Sequence, residues 1–308
     1  MRTKNIACFF LASSFCSCMF AQSRSEARVT VRVLDQDGAI VTDAIVGMGF
    51  QYGTPNGTQS MGKRGLVDRN GLFTATAETS GFVTWGAEAT GNYRYVGKPI
   101  LFSVQEGSRW LPWNQTNTAI LKKIRKPISM YVRSVDLAVP EVGTEIGFDF
   151  TAGDWVAPRG KGKRTDILFR GELEQKTRDD FHMKLFVSFP NKQDGLQSFD
   201  APSGRRGSAL KSAHEAPAGG YLSEWTQFRL KKPDSPEESN IDLNRNYYFR
   251  VRTVLDEQGR IKSANYGKIY GDFMQFRYYF NPEPNSRNVE FDPAKNLFGA
   301  SAEPIDLP

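Results

Sequence analysis

Alternation with a period of two is the feature that most limits what this chain can become. In RVTVRVLD, Val29, Val31 and Val33 fall on one side and Thr30 and Arg32 on the other. Successive side chains leave a strand on opposite faces, so this is the pattern of a half-buried strand, whereas a helix needs a repeat near 3.6. DAIVGMGF continues it with Ala44, Val46, Met48 and Phe50 in phase, and long amphipathic helical stretches are hard to find anywhere in the chain. Turn chemistry at Asp35-Gln36-Asp37-Gly38 and Asn70-Gly71 separates such segments, and the pattern predicts an all-β chain of antiparallel sandwiches.

The opening, MRTKNIACFFLASSFCSCMFAQS, obeys a different rule. Arg2 and Lys4 precede an uncharged, mostly apolar or small stretch from Asn5 to Ala21, the layout of a signal peptide over residues 1–21 with cleavage after Ala21. The stretch is short for a membrane span and broken by serines. Cys8, Cys16 and Cys18, the only cysteines, all lie in it, so cleavage removes disulfides, thiolate metal sites and cysteine nucleophiles together. An alternative is a variant lipoprotein box at Phe15-Cys16-Ser17-Cys18, with Cys18 lipidated and the protein anchored at the cell envelope; Phe15 stands where that box usually carries leucine. The expected location is secreted or periplasmic. No later run is long and apolar enough to predict a transmembrane span.

The mature chain is long enough for about two ordinary domains. Residues 22–133 supply the first, with strands expected in LVDRNGLFTATAE, FVTWGAEA and KPILFSV. VTVRVLDQDGAIVTDAIV followed by LVDRNGLFTATAETSG resembles the carboxypeptidase regulatory-like, or transthyretin-like, β-sandwich of many secreted bacterial proteins. Asp68, Gly71 and Phe73 match its Asp-x-x-Gly-x-Phe hairpin and Ala44 its small strand residue, while Ile40 sits where the family usually has proline. The resemblance implies a structural or binding accessory that brings no catalytic residues.

Residues 134–308 form the second expected domain, an antiparallel sandwich or jelly roll built from segments such as TDILFRGEL, FHMKLFVSF, NYYFRVRTVL and DFMQFRYYF. This half resembles secreted bacterial proteins of unassigned function. The connection 191–220 is long enough to be either functional or disordered. The tail from Asn281 has five prolines and no strand-length apolar run, so it is expected to lie extended over the surface or trail free.

GDWVAPRGKGKRTD, residues 153–166, invites comparison with a phosphate-binding loop. A P-loop needs glycine, four free positions, then Gly-Lys-Ser/Thr opening a helix. Here Arg164 follows Gly162-Lys163, Ala157 occupies the leading glycine position, and a strand pattern follows. Lys161, Lys163 and Arg164 are therefore expected as solvated cations able to meet an acidic glycan or an anionic surface. A formal charge of +6, two units of it on Arg2 and Lys4, argues against a nucleic-acid partner.

Other chemistry is sparse. His182 and His214 belong to no Gly-x-Ser-x-Gly elbow and no metal-ligand spacing. Asp35, Asp37, Asp68 and Asn70 offer calcium-type oxygens, but their positions suit turns that bond their own backbone. No metal or cofactor is expected. Asp149, Asp154, Glu172, Glu174 and Glu224 supply the alternative reading, an extracellular polysaccharide hydrolase with two carboxylates about 5–9.5 Å apart. Trp110, Trp113, Trp155 and Trp225 are candidates to stack on sugar rings, with core burial the competing fate for Trp85 and Trp225. The sequence thus favours a non-enzymatic binding or structural accessory protein, its partner an extracellular glycan or cell-envelope component.

Overall fold

A computed structural model of the chain describes residues 25–54, 57–136, 139–299, 305, 307 and 308. The signal segment, its three cysteines and the lipidation alternative at Cys18 lie outside these. Among the described residues there is no helix, and so none long and apolar enough to cross a membrane. The all-β class read from the alternation is the class found: four sheets, facing each other in two pairs.

In the first pair, Ser25–Asp35 lies antiparallel to Leu72–Thr79 on one side and parallel to Gln115–Leu121 on the other. The facing sheet has Ile45–Thr54 between Phe82–Glu88 and the edge strand Gly57–Leu66. Val29, Val31, Val33, Val46, Phe50 and Val83 lose all exposure between the sheets, as their phase requires.

The second pair has a more aromatic core. Ile167–Thr177, Asp180–Ser188 and Glu224–Lys231 form the centre of one sheet, and Arg245–Leu255, Ile261–Gly271 and Gln275–Phe280 the centre of the other. Phe150, Phe169, Phe249, Phe273, Phe280 and Tyr278 fill the gap, all fully buried. Ile128–Asp136, which crosses the 133/134 position, pairs with Gln275–Phe280 and Phe291–Asn296 and so builds this second sandwich.

A β-bulge interrupts the register between Val251 and Val254, and within it Arg252 adopts a left-handed backbone with φ of 59°. A bulge bends a strand and re-aims one side chain. Here the guanidinium makes a two-point contact with Asp166, at 2.7 and 2.9 Å, and also donates to Thr151 Oγ1 at 2.7 Å. Asp194 receives the bulge's freed Arg252 and Thr253 amides at 2.9 and 3.0 Å. Asp166 comes from the opposite sheet, so the bulge ties the sandwich shut.

The outer face of the Arg245–Leu255 sheet is also buried, and the long connection and the tail cover it. Segment 191–220 is ordered, with strands Gly195–Asp200 and Gly207–Ser208. The tail includes the strand Phe291–Asn296, which the tail's proline content argued against. It needs few apolar residues because Val289 and Phe291 alone act as fully buried plugs, and Asn296 pairs its side-chain amide with both the N–H and C=O of Val132. Under this cover Lys268 has no exposure and bonds Ser212 Oγ at 3.2 Å, above the rings of Tyr270 and Tyr279. Burial pushes its ammonium well below the lysine range, Lys122 adds to that, and Glu290 opposes it.

The same cover joins the two sandwiches. Gly207–Ser208 extends the first sandwich by pairing with Tyr95–Val96, and Lys122 Nζ donates to the carbonyls of Lys211 and Ser212 at 3.0 and 2.9 Å. His214 Nε2 lies 2.7 Å from the carbonyl of Lys123, so this histidine is held in the seam. Glu290, 1% exposed, accepts from the Tyr93 hydroxyl and the Arg125 amide at 2.8 Å and the Lys126 amide at 2.7 Å. Glu290→Ala leaves the buried Tyr93 hydroxyl and two partly buried amides without their acceptor and should cost about 1–3 kcal/mol in chemical denaturation, whereas an exposed control such as Glu257→Ala should cost little.

Candidate functional site

The opening of the 153–166 segment sits on a short edge strand, Asp154–Trp155, and its remainder returns to Ile167–Thr177. Its backbone amides do bind an anion, but the anion belongs to the chain. Asp149 Oδ2 accepts the amides of Lys163 and Arg164 at 3.0 and 3.1 Å, and Asp149 Oδ1 accepts those of Thr151 and Ala152 at 2.8 and 3.1 Å. Asp154 takes the amide of Lys161 at 2.9 Å. These donors are spent on internal carboxylates, while the side chains of Lys161, Lys163 and Arg164 point to solvent.

Burial raises the Asp149 carboxyl, but the four amides outweigh it and hold the group below the ordinary value of 3.8. A native value below the unfolded one makes the contribution complete above that range and lost as pH falls through it. Asp149→Asn should therefore cost about 1–3 kcal/mol near neutral pH. Its deficit relative to wild type should shrink in urea titrations carried out below the unfolded value.

The candidate tryptophans do not converge. Trp110 donates to the carbonyl of Thr79 at 2.9 Å and packs on the first core near Phe102. Trp113 is half-buried with the Arg109 guanidinium 4.8 Å from its ring. Trp155 meets Phe148 and Phe169 edge-on, at centroid distances of 5.6 and 5.8 Å. Trp225 packs edge-on against Tyr247 at 5.4 Å, beneath Arg245. Strand order sets Trp155 and Trp225 four strands apart in one sheet, about 19 Å. Trp85 is buried in the first core.

The carboxylates are likewise dispersed. Asp149 and Asp154 serve the loop. Glu172 pairs with Arg170 and shares the outer face of its sheet with exposed Glu174. Glu224 lies two strands across and four residues along from Glu172, about 16 Å away and beyond the reach of a glycosidase pair. Asp35 and Asp68 each accept two amides of their own turns.

A concave surface appears elsewhere, on the outer face of the first sandwich. A groove of about 540 Å3 runs over the strands Ile45–Thr54, Gly57–Leu66 and Phe82–Glu88. Register places Gly86 beside Gly47, and Thr84 beside Gly49 and then Gly62. The floor is therefore peptide backbone across three strands. Both flanks of the central strand are paired, so its amides are committed within the sheet. Polar side chains accompany this floor: Arg64, Arg94 and Glu88 line the groove, and Arg64 reaches across the central strand to pair with Glu88, while Lys63 lies in the inward phase opposite Met48. Ser60 Oγ and Thr84 Oγ1 lean in from the neighbouring strands, each 2.8 Å from where a Cβ on Gly49 would stand. None of these residues drew attention in the sequence, although IVGMGF alternates glycine against Val46, Met48 and Phe50, a signal visible once the outward positions are read too.

No protein-family model matches the chain, and no curated protein matches it. Among solved structures, it is similar to 3-chlorocatechol 1,2-dioxygenase from Rhodococcus opacus 1CP at 13% identity and a TM-score of 0.27, over 34% of this chain and 62% of that one. The match thus spans less than two thirds of the dioxygenase. It is also similar to a candidate carbohydrate binding protein from Bacteroides uniformis ATCC 8492, at 10% identity and a TM-score of 0.20, over 84% of this chain and 98% of that one.

Proposed function

We propose that the protein is a non-enzymatic binding protein of the bacterial envelope or exterior that holds a glycan in the groove of its first sandwich. The observation that carries this reading is the groove itself: a floor of bare backbone on paired strands, with a polar rim to which the connection at Arg94 contributes. The carboxylates that a hydrolase would need are engaged internally or spread along an outer face, which favours retention of a ligand over its cleavage. Asp68, Gly71 and Phe73 support a transthyretin-like accessory role for the first sandwich. The basic and apolar opening segment supports export to a secreted or periplasmic location, with lipidation at Cys18 as the route by which the protein would instead be tethered.

Incubated with an array of extracellular oligosaccharides, the mature chain should retain at least one of them and return it at unchanged length. Trp155→Ala and Trp225→Ala lie in the other sandwich and should leave that affinity within about twofold, even where they lower stability. Shortened oligosaccharide products, or folded tryptophan variants that no longer bind, contradict the reading.

A further inference from the structure

Two glycines in the groove floor have no steric explanation inside the protein. Gly47 and Gly62 are not in the left-handed region, and a Cβ added to either would meet no atom within 4 Å. Gly86 differs, because its Cβ would lie 2.7 Å from the Tyr95 carbonyl oxygen, so the fold itself excludes a side chain there. Glycine in a strand interior weakens the strand and often marks a place where a ligand approaches the backbone closely. At Gly62 the chain accepts that weakness with no gain in its own packing, and at Gly47 the Arg64–Glu88 pair crosses the central strand without coming within 4 Å of the missing Cβ. The gain must then lie outside the chain, in something that sits down on the floor.

We infer that the groove binds an acidic glycan, a polysaccharide carrying carboxylate-bearing sugar rings, laid flat over Gly47, Gly49 and Gly62 with its carboxylates toward Arg94 and Arg64. This rests on the binding reading above and gives the ligand its chemical class. The floor offers C–H groups and peptide planes, and the rim offers hydroxyls and guanidinium groups. A pyranose ring has the matching layout, with apolar C–H faces and polar groups at its circumference. A peptide strand would gain little on this face, since the amides of Ile45–Thr54 are already paired on both sides. Charge decides the class of sugar. Two cations of the outward phase or the adjoining connection, Arg64 and Arg94, stand against one carboxylate, Glu88, which Arg64 already engages, so Arg94 is the unmatched charge. Arg94 is exposed and makes no ion pair among the described residues, so its planar fork is open to a two-point contact with a carboxylate.

The test measures affinities of the mature chain for uronate oligosaccharides based on galacturonate, mannuronate and glucuronate, each beside its neutral methyl ester of the same length and linkage. At least one uronate should bind at least about tenfold more tightly than its ester, and Arg94→Gln should remove about that factor for the acid while sparing the ester. Raising salt from about 50 to about 500 mM should weaken the acid selectively. Gly47→Val and Gly62→Val should each fold, with a melting temperature equal to or above that of wild type, and abolish binding of both forms. Should one of the two misfold, the other and Arg94→Gln still decide the matter. Esters that bind as well as acids, or an oligoglutamate peptide that binds as well as the uronates, overturn the acidic-glycan assignment and leave glycan binding standing. Folded valine variants that bind like wild type also overturn it. Failure of every glycan, acidic or neutral, overturns both.

Discussion

Every strand has two faces, and the demand that each face be buried, solvated or occupied organises this molecule. Four sheets pair their inner faces into two cores, and that step follows directly from the valine and phenylalanine phases along the strands. The outer faces are dealt with in three ways. One, bearing Tyr248, Tyr266, Lys268 and Tyr279, lies beneath the long connection and the tail, which also join the sandwiches. Another carries ordinary solvated charge, with Arg170, Glu172 and Glu174. A third, over Ile45–Thr54, carries neither a cover nor a full set of side chains. It is the face whose composition the fold alone leaves unexplained, and the functional reading begins there.

One group of charges in the second sandwich is directed inward. Arg252, re-aimed by its bulge, lies between the two sheets with Asp166 and Thr151, and Asp149 gathers the amides of the loop beside it. A buried ion pair of this kind is weak evidence for stability but costly to break, since removing one partner strands the other. The cation-rich segment 153–166 is part of that node. Its amides cannot be given to a phosphate without taking them from Asp149, which is why a loop that resembles an anion cradle is a structural clasp.

The strand phases were legible because alternation reports burial directly: Val29, Val31, Val33, Val46 and Phe50 each lie where their phase put them. Turn chemistry was legible too, since Asp35 and Asp68 bond the backbone within two to four residues. Less visible were features set by partners distant in sequence. Glu290 and Tyr93 are 197 residues apart, and nothing local to either announces the pairing. Phe291–Asn296 becomes a strand because a neighbour needs covering, against the local signal of its proline. The groove escaped for a different reason. Alternation is read from the side chains that are present, whereas this site is defined by side chains that are missing at Gly47 and Gly49 on one strand and at Gly62 on the next, which only register brings beside them.

The most direct measurement is amide NMR of the mature chain titrated with a uronate oligosaccharide, because glycine amides occupy their own region of the spectrum and report on the groove floor. The account predicts saturable shifts concentrated at Gly47, Gly49, Gly62 and Gly86, with the tryptophan indole signals of the second sandwich unmoved. Saturable shifts centred on Trp155 or Trp225, with the floor glycines unmoved, would contradict it.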